Sequence, residues 1–131
     1  MKNTPITENH LYRKAYSNGK NAVGRYVAVY ALRDRANPRL VKEDPCHRPL
    51  NRLGLTTGKK IGGAVQRSRA RRLMREAYRL IEKDGLIEHG YLLVLAARVK
   101  ITEADMNEVK KDLIRSFGNL KLLRSGSGEN K

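Results

Sequence analysis

Between Lys59 and Arg79 the chain places eight Lys or Arg, at 59, 60, 67, 69, 71, 72, 75 and 79, against one acid, Glu76. The stretch therefore carries +7 of a formal net charge of +15. Charges so nearly of one sign cannot be explained by i,i+4 pairing along a helix. Most of them are arginines, whose planar fork suits phosphate oxygens and stacks on bases. Gly62-Gly63 stands just upstream, where a backbone can approach a ligand closely beside a helix N-terminus that favours anions. These residue types at these spacings suit binding to a nucleic-acid backbone. The plainer alternative is a solvated charged face.

Chemistry of bond cleavage has no comparable signal. It would need acids or bases gathered at one site, and the acids here are scattered over a loop, the helix ends and the last helix. No spacing predicts paired carboxylates or a two-metal cluster. Cys46-His47 lacks the further ligands zinc requires, since His10 and His89 have no evident reason to converge on it. Gly58 to Gly63 lacks the spacing of a P-loop or dinucleotide motif. The chain reads as a binder with no metal, cofactor or catalytic residue of its own.

A second candidate site is aromatic. Tyr12 and Tyr16 are four apart on a predicted helix, on one face beside Leu11 and Ala15. They are either core residues or a platform on which unpaired bases stack.

The elements that must position these residues follow from pattern. A chain of 131 residues fits a single domain, 1–131, with a modest core built on Leu, Val, Ile and Ala, since Trp is absent and Phe occurs once. Lys plus Arg total 28 against 13 acids, and the pI near 10.4 points to a polyanionic partner. A membrane is the weaker choice, because the longest apolar run, Tyr91 to Ala97, is far below the ~18 residues of a spanning helix. Met1 to Thr7 has no apolar signal region, and a lone cysteine suits a reducing cytoplasm.

Residues 1–6 are expected to be a loose arm, with Thr7 capping a helix that runs to about Ser17 or Asn18 and Gly19 at its C′ position. A short strand around Ala22–Gly24 precedes a central strand at 26–32. Residues 33–51, with Pro38, Pro45 and Pro49, are expected to form a long exposed loop. A strand follows at 52–57, where Gly54 would leave space for a ligand backbone.

The basic helix starts between Gly63 and Ser68 and ends near Lys83-Asp84, with Gly85 as terminator. Its wheel puts Ala70, Leu73, Met74, Ala77, Leu80 and Ile81 inward and Arg71, Arg72, Arg75 and Arg79 outward. A buried strand follows at 91–97. Thr102 with Asp105 resembles a capping box for a last helix that buries Met106, Val109, Leu113, Ile114 and Phe117 and reaches Gly118. Residues 125–131 have the composition of a disordered tail. The expectation is an α+β fold, a small mixed sheet with packed helices in the order αβ(β)βαβα.

The basic stretch resembles the protein subunit of bacterial ribonuclease P. That family's signature is a Lys-Lys, a Gly, an Ala-Val, then Arg-Asn-Arg, a basic pair and a further Arg on the same helix. The matching residues are Lys59-Lys60, Gly62, Ala64-Val65, Arg67-Ser68-Arg69, Arg71-Arg72 and Arg75. Ser68 stands where the signature has Asn; it keeps a short hydrogen-bonding group able to cap a helix, and loses the amide's paired donor and acceptor.

The resemblance implies a left-handed crossover in the strand–helix–strand unit built on the basic helix, against the usual right-handed rule. It implies that Lys59, Lys60, Gly62, Arg67, Ser68, Arg69, Arg71, Arg72 and Arg75 bind RNA. Tyr12 and Tyr16 match two aromatics that line a cleft for the single-stranded 5′ leader of precursor tRNA. The implied partners are ribonuclease P RNA and precursor tRNA, in a 1:1 complex with a monomeric protein. Catalysis and the Mg²⁺ ions would then reside in the RNA subunit. Two other readings compete: a structural ribosomal-type protein, equally small and basic, and a protein-only ribonuclease, which the missing acid cluster disfavours.

Overall fold

Strand β5 (Tyr91–Ala97) is apolar on both faces, and that is what places it at the centre. Leu92, Val94 and, on the other side, Leu93 and Leu95 are all buried, so each face must be covered by something. The computed structural model describes residues 10–34, 39, 42 and 51–123, together with the backbone of residues 4–5 and 9. In it β5 pairs antiparallel with β3 (Val27–Arg33) and parallel with β4 (Arg52–Thr56). Strand β2 (Lys20–Val23) adds antiparallel to β3, and β1 (Thr4–Pro5) adds parallel to β4, giving the order β1-β4-β5-β3-β2.

Helices α2 (Ala64–Lys83) and α3 (Met106–Asn119) cover one face. Met74, Ala77, Tyr78 and Ile81 of α2 and Val109, Leu113 and Phe117 of α3 share a core with Val27, Val29, Leu53, Leu93 and Leu95. Helix α1 (Asn9–Asn18) covers the other face, where Leu11 and Ala15 bury Leu92 and Val94. This is the α+β order expected from pattern, with one short strand added at the front.

Several local expectations give way to specific contacts. Residues 4–5 are not a loose arm: Thr4 and Pro5 pair with Arg52 and Leu53. The free edge of β4 presents unpaired backbone groups that a short segment can satisfy, and an edge tolerates proline. The 33–51 segment is anchored at both ends. Arg33 belongs to β3, Asp34 and Asn51 are buried, and Asp34 takes a two-pronged ion pair from Arg52 at 2.7 and 2.9 Å. Arg39 and Lys42 have helical backbone. Thr7, the three prolines of the loop, Cys46-His47 and the 125–131 tail lie outside the described residues.

Gly19 serves close approach and not a left-handed turn. It lies outside the positive-φ glycines, and a Cβ there would fall 2.5 Å from the Ala15 carbonyl oxygen and 2.7 Å from that of Ala31. Gly85 does adopt the left-handed region, at φ 71°, and closes α2 with bonds from Gly85 N to Glu82 O and Leu86 N to Ile81 O. Helix α3 is capped by Asp105 and not by Thr102, which sits in a 3-10 turn at Val99–Glu103. Asp105 accepts from Glu108 N at 2.9 Å while Glu108 accepts from Asp105 N at 3.0 Å, a complete capping box one turn later than expected. The helix also runs one residue past Gly118.

One side chain ties the two layers together. The buried Asp112 carboxylate on α3 accepts from the main-chain N–H groups of Arg25, Tyr26 and Val27 at 2.9, 3.0 and 3.1 Å. Gly24 leaves room for it, since a Cβ there would lie 2.4 Å from Asp112 Oδ2. Replacing Asp112 with Ala strands three donors at the β2–β3 turn, and should cost roughly 2–4 kcal/mol. Urea unfolding of Asp112→Ala, with Asp112→Asn as the milder neighbour, measures it; a change in stability within error would mean that the turn holds itself.

Candidate nucleic-acid interface

Helix α2 is amphipathic in the expected sense, but its inner face is wider than its apolar periodicity alone gives. Ala70, Met74, Ala77, Tyr78 and Ile81 are buried, with Leu73 packed at the margin. Tyr78 stacks edge-on against Phe117 at 6.3 Å and receives a hydrogen bond from Asn51 Nδ2 at 3.0 Å. Burial, and next the Glu82 carboxylate, push its phenol well above the usual range, so it stays protonated. Its hydroxyl donates to Glu82 at 3.3 Å, and His89 Nε2 lies 3.5 Å from the same carboxylate oxygen.

The entry to α2 is glycine-built. A 3-10 turn at Lys59–Ile61 buries Ile61 and leaves Lys59 and Lys60 exposed. Gly62 follows at φ 135°, a conformation L side chains rarely adopt, and Gly63 is the N-cap without a side-chain cap. The first turn of the helix therefore has no side-chain cap and follows two lysines in the chain, an arrangement that favours anions.

The arginines that follow divide into two sets. The side chains of Arg67, Arg72 and Arg75 make no hydrogen bond or ion pair among the described residues, and Arg72 and Arg75 are exposed. Arg69 is different: its guanidinium donates to the carbonyls of Ala104 at 2.7 Å and Ile101 at 3.4 Å. Arg71 and Arg79, expected to project into solvent, are both half-buried. Arg71 Nη1 donates to Thr57 Oγ1 at 2.8 Å, and Arg79 pairs with Glu76 at 3.0 Å. A wheel places side chains around an axis and knows nothing of neighbouring segments, so it could not separate these sets. Ser68 is exposed and lies inside the helix, five residues past Gly63, so it does not cap the N-terminus.

The tyrosines lie on the other face of the sheet. Tyr12 is half-buried across β4: a Cβ on Gly54 would meet its ring at 2.5 Å. The space at Gly54 is thus filled by this ring and not left for a ligand backbone. Burial first, and then Tyr16 nearby, raise the Tyr12 phenol above its ordinary range, with the Leu55 backbone opposing. Tyr16 is 41% exposed, stands edge-on to Tyr30 at 4.7 Å and reaches Thr56 Oγ1 at 3.4 Å. One tyrosine packs, the other offers its ring to solvent, and Tyr30 joins them from β3. Tyr30 carried no signal of its own in a strand that is apolar throughout.

Comparison with known proteins sets this geometry in context. A family model described as Ribonuclease P matches residues 1–121. The "Ribonuclease P protein component" of Natranaerobius thermophilus is 30% identical over 119 residues, 91% of each chain. The protein of that name from Clostridium botulinum strain Loch Maree is 34% identical over 115 residues, 87% of this chain and 91% of its own. Among solved structures, the RNase P protein from Staphylococcus aureus superposes with a TM-score of 0.70 at 20% identity, covering 100% of this chain and 97% of its own. That from Thermotoga maritima gives 0.64 at 22% identity, covering 88% and 94%. The structural likenesses bear on the fold.

The division among the arginines is testable. Arg72→Ala and Arg75→Ala should leave the melting temperature unchanged and each reduce the log–log salt slope of binding to a structured RNA by about 0.7–0.9. Arg69→Ala removes two charge-assisted bonds at a solvent-accessible position and should lower stability by roughly 1–2 kcal/mol. Thermal melts beside RNA titrations check both halves; equal stability for all three variants would remove the distinction.

Proposed function

The chain belongs to the ribonuclease P protein family, and we propose that it acts as the protein subunit of that endoribonuclease, in the removal of the 5′ leader from precursor tRNA. The match over residues 1–121 carries this reading. Two features of the geometry support its details. Arg67, Arg72 and Arg75, without side-chain partners among the described residues, follow exposed Lys59 and Lys60 in the chain, a set suited to the phosphates of a folded RNA. Tyr16, exposed beside Tyr30 and the packed Tyr12, suits an unpaired strand whose bases stack on aromatic rings.

On this reading the catalytic centre lies in the RNA subunit, and the Mg²⁺ ions of the reaction are held there. The protein contributes by differential binding. The leader is present on precursor and absent from product, so holding it favours substrate, while the cationic surface screens one RNA from the other. The partners are ribonuclease P RNA and precursor tRNA, one protein per RNA, in the cytoplasm. No helix among the described residues is long and apolar enough to cross a membrane.

Purified protein should not cleave a 5′-extended tRNA alone and should accelerate cleavage, or tighten substrate binding, once the RNA subunit is added. Robust cleavage by protein free of RNA would overturn the assignment of catalysis. Within the holoenzyme, Tyr16→Ala should lose roughly 1–3 kcal/mol of affinity for precursor but not for mature tRNA, with its melting temperature nearly unchanged. Gly54→Ala should reproduce part of that loss by displacing the Tyr12 ring that a Cβ would meet at 2.5 Å. Equal loss for precursor and mature tRNA would return the rings to a purely structural role.

A further inference from the structure

A depression outside the tyrosine face lies where β4 and β5 end and the β2–β3 turn passes beside them. Arg25, Gly58, Lys59, Lys60, Ile61, Ala97, Arg98, Val99 and Lys100 enclose about 850 Å³ there. Five of these residues are cations, all exposed, and none is an acid or an aromatic. Only Lys59 and Lys60 belong to the basic stretch; Arg25, Arg98 and Lys100 come from two segments with no charge pattern of their own.

The backbone that carries the cations is fixed from several directions. Asp112 holds the main-chain N–H of Arg25 at 2.9 Å. Arg98 donates its own N–H to Tyr26 O at 2.9 Å and its Nη1 to Gly24 O at 2.6 Å. Arg69 reaches over from α2 to the carbonyls of Ile101 and Ala104, which close the 3-10 turn carrying Lys100. Glu108, the acid on the neighbouring start of α3, is engaged by Tyr26 Oη at 3.3 Å and by the capping box. Concentrated positive charge on a held framework, with no ion pair to any of the five cations among the described residues, calls for an external counter-charge.

We infer that this pocket binds the phosphodiester backbone of the RNA subunit, as a second binding region beyond the ridge of α2. The inference rests on the ribonuclease P reading above. The lining offers cations and no ring, so it grips phosphate and does not stack bases. It also opens on the wrong face for the leader. Ala97 shares its face of β5 with Leu93 and Leu95, whereas the tyrosines lie over Leu92 and Val94. Lys59 and Lys60 accordingly work with Arg25, Arg98 and Lys100 around one RNA segment. Arg69 is a positioning residue that joins this pocket to the helix.

The test uses the full chain carrying Arg25→Gln and Lys100→Gln together, leaving Arg98 in place because it bonds to Gly24. Binding to the transcribed RNA subunit is measured over a salt series, and precursor-to-mature tRNA preference is measured in the reconstituted holoenzyme. The expected result is a log–log slope smaller by about 0.7–0.9 for each cation removed from a phosphate, with the precursor-to-mature ratio unchanged. An unchanged slope overturns the pocket while wild-type binding leaves the family reading intact. A weakening seen only with leader-bearing substrate also overturns it, by giving the pocket to the leader. If the wild type itself fails to bind the RNA subunit, both fall together. Should the double variant melt early, Lys100→Gln alone repeats the measurement at a residue without a hydrogen bond or ion pair among the described residues.

Discussion

Three consecutive main-chain N–H groups on one buried carboxylate hold the two layers of this fold in register. Among the described residues, Asp112 is the side chain that reaches from a helix into the sheet to satisfy backbone donors of the β2–β3 turn. Without it the Val27 N–H would be buried without a partner and those of Arg25 and Tyr26 partly so, and such groups are expensive. Asp34 works on the same principle at the far end of β3, paired to Arg52 at the start of β4. Glu82 lies inside beside Tyr78 and His89, and Asp105 and Glu108 close the start of α3. A chain with only 13 acids among 131 residues commits several of them to holding its frame together. Among the described residues, Glu76 is the acid that pairs with a cation of the basic stretch, at Arg79.

That allocation explains why the two candidate surfaces differ in kind. β5 is buried on both faces, so each face needs a cover, and the covers are different. Short α1 leaves the outer part of its face uncapped, where Tyr16 and Tyr30 meet edge-on and Gly54 admits the Tyr12 ring. The longer α2, with α3 beside it, covers the other face and turns its polar side outward. Aromatic rings above one face and guanidinium groups below the other are the consequences of a single strand's apolarity. Unpaired bases and phosphate backbones are correspondingly different ligands.

The parts of this arrangement that follow a period are legible in the chain. Helix α2 and the inward set Val109, Leu113 and Phe117 of α3 repeat their apolar residues at spacings that hold whatever the tertiary context, and strand β5 shows as an unbroken apolar run. What depends on a neighbour is not legible. Tyr78 falls outside the apolar stripe of the wheel, yet Asn51 and Phe117 enclose it. Arg69 and Arg71 read as twins of Arg72 until the carbonyl of Ala104 and the hydroxyl of Thr57 claim them. Strand β1 is two residues long and has no period at all; only the open edge of β4 makes it a strand. Arg25, Arg98 and Lys100 meet because the β2–β3 turn and the exit of β5 lie at the same end of the sheet, a fact of topology with no local trace.

The unpaired cations also bear on the stability of the free protein. Arg72 and Arg75 are three apart on one helix, and like charges at that spacing repel. Added over a chain of net charge +15, such repulsion opposes the folded state whenever no polyanion is bound. Salt screens it, so moderate ionic strength should favour the isolated fold while weakening its hold on RNA. Binding of RNA removes the same repulsion by supplying the counter-charge, and anything that binds only the folded chain stabilises it. Fold and interface are therefore coupled through charge, with opposite dependence on salt. The buried carboxylates stand outside this coupling, since pairs and hydrogen bonds inside the protein are screened far less than charges on its surface. Asp112 and Asp34 can hold the frame at an ionic strength that loosens the ridge, so the surfaces keep their shape when no RNA is bound.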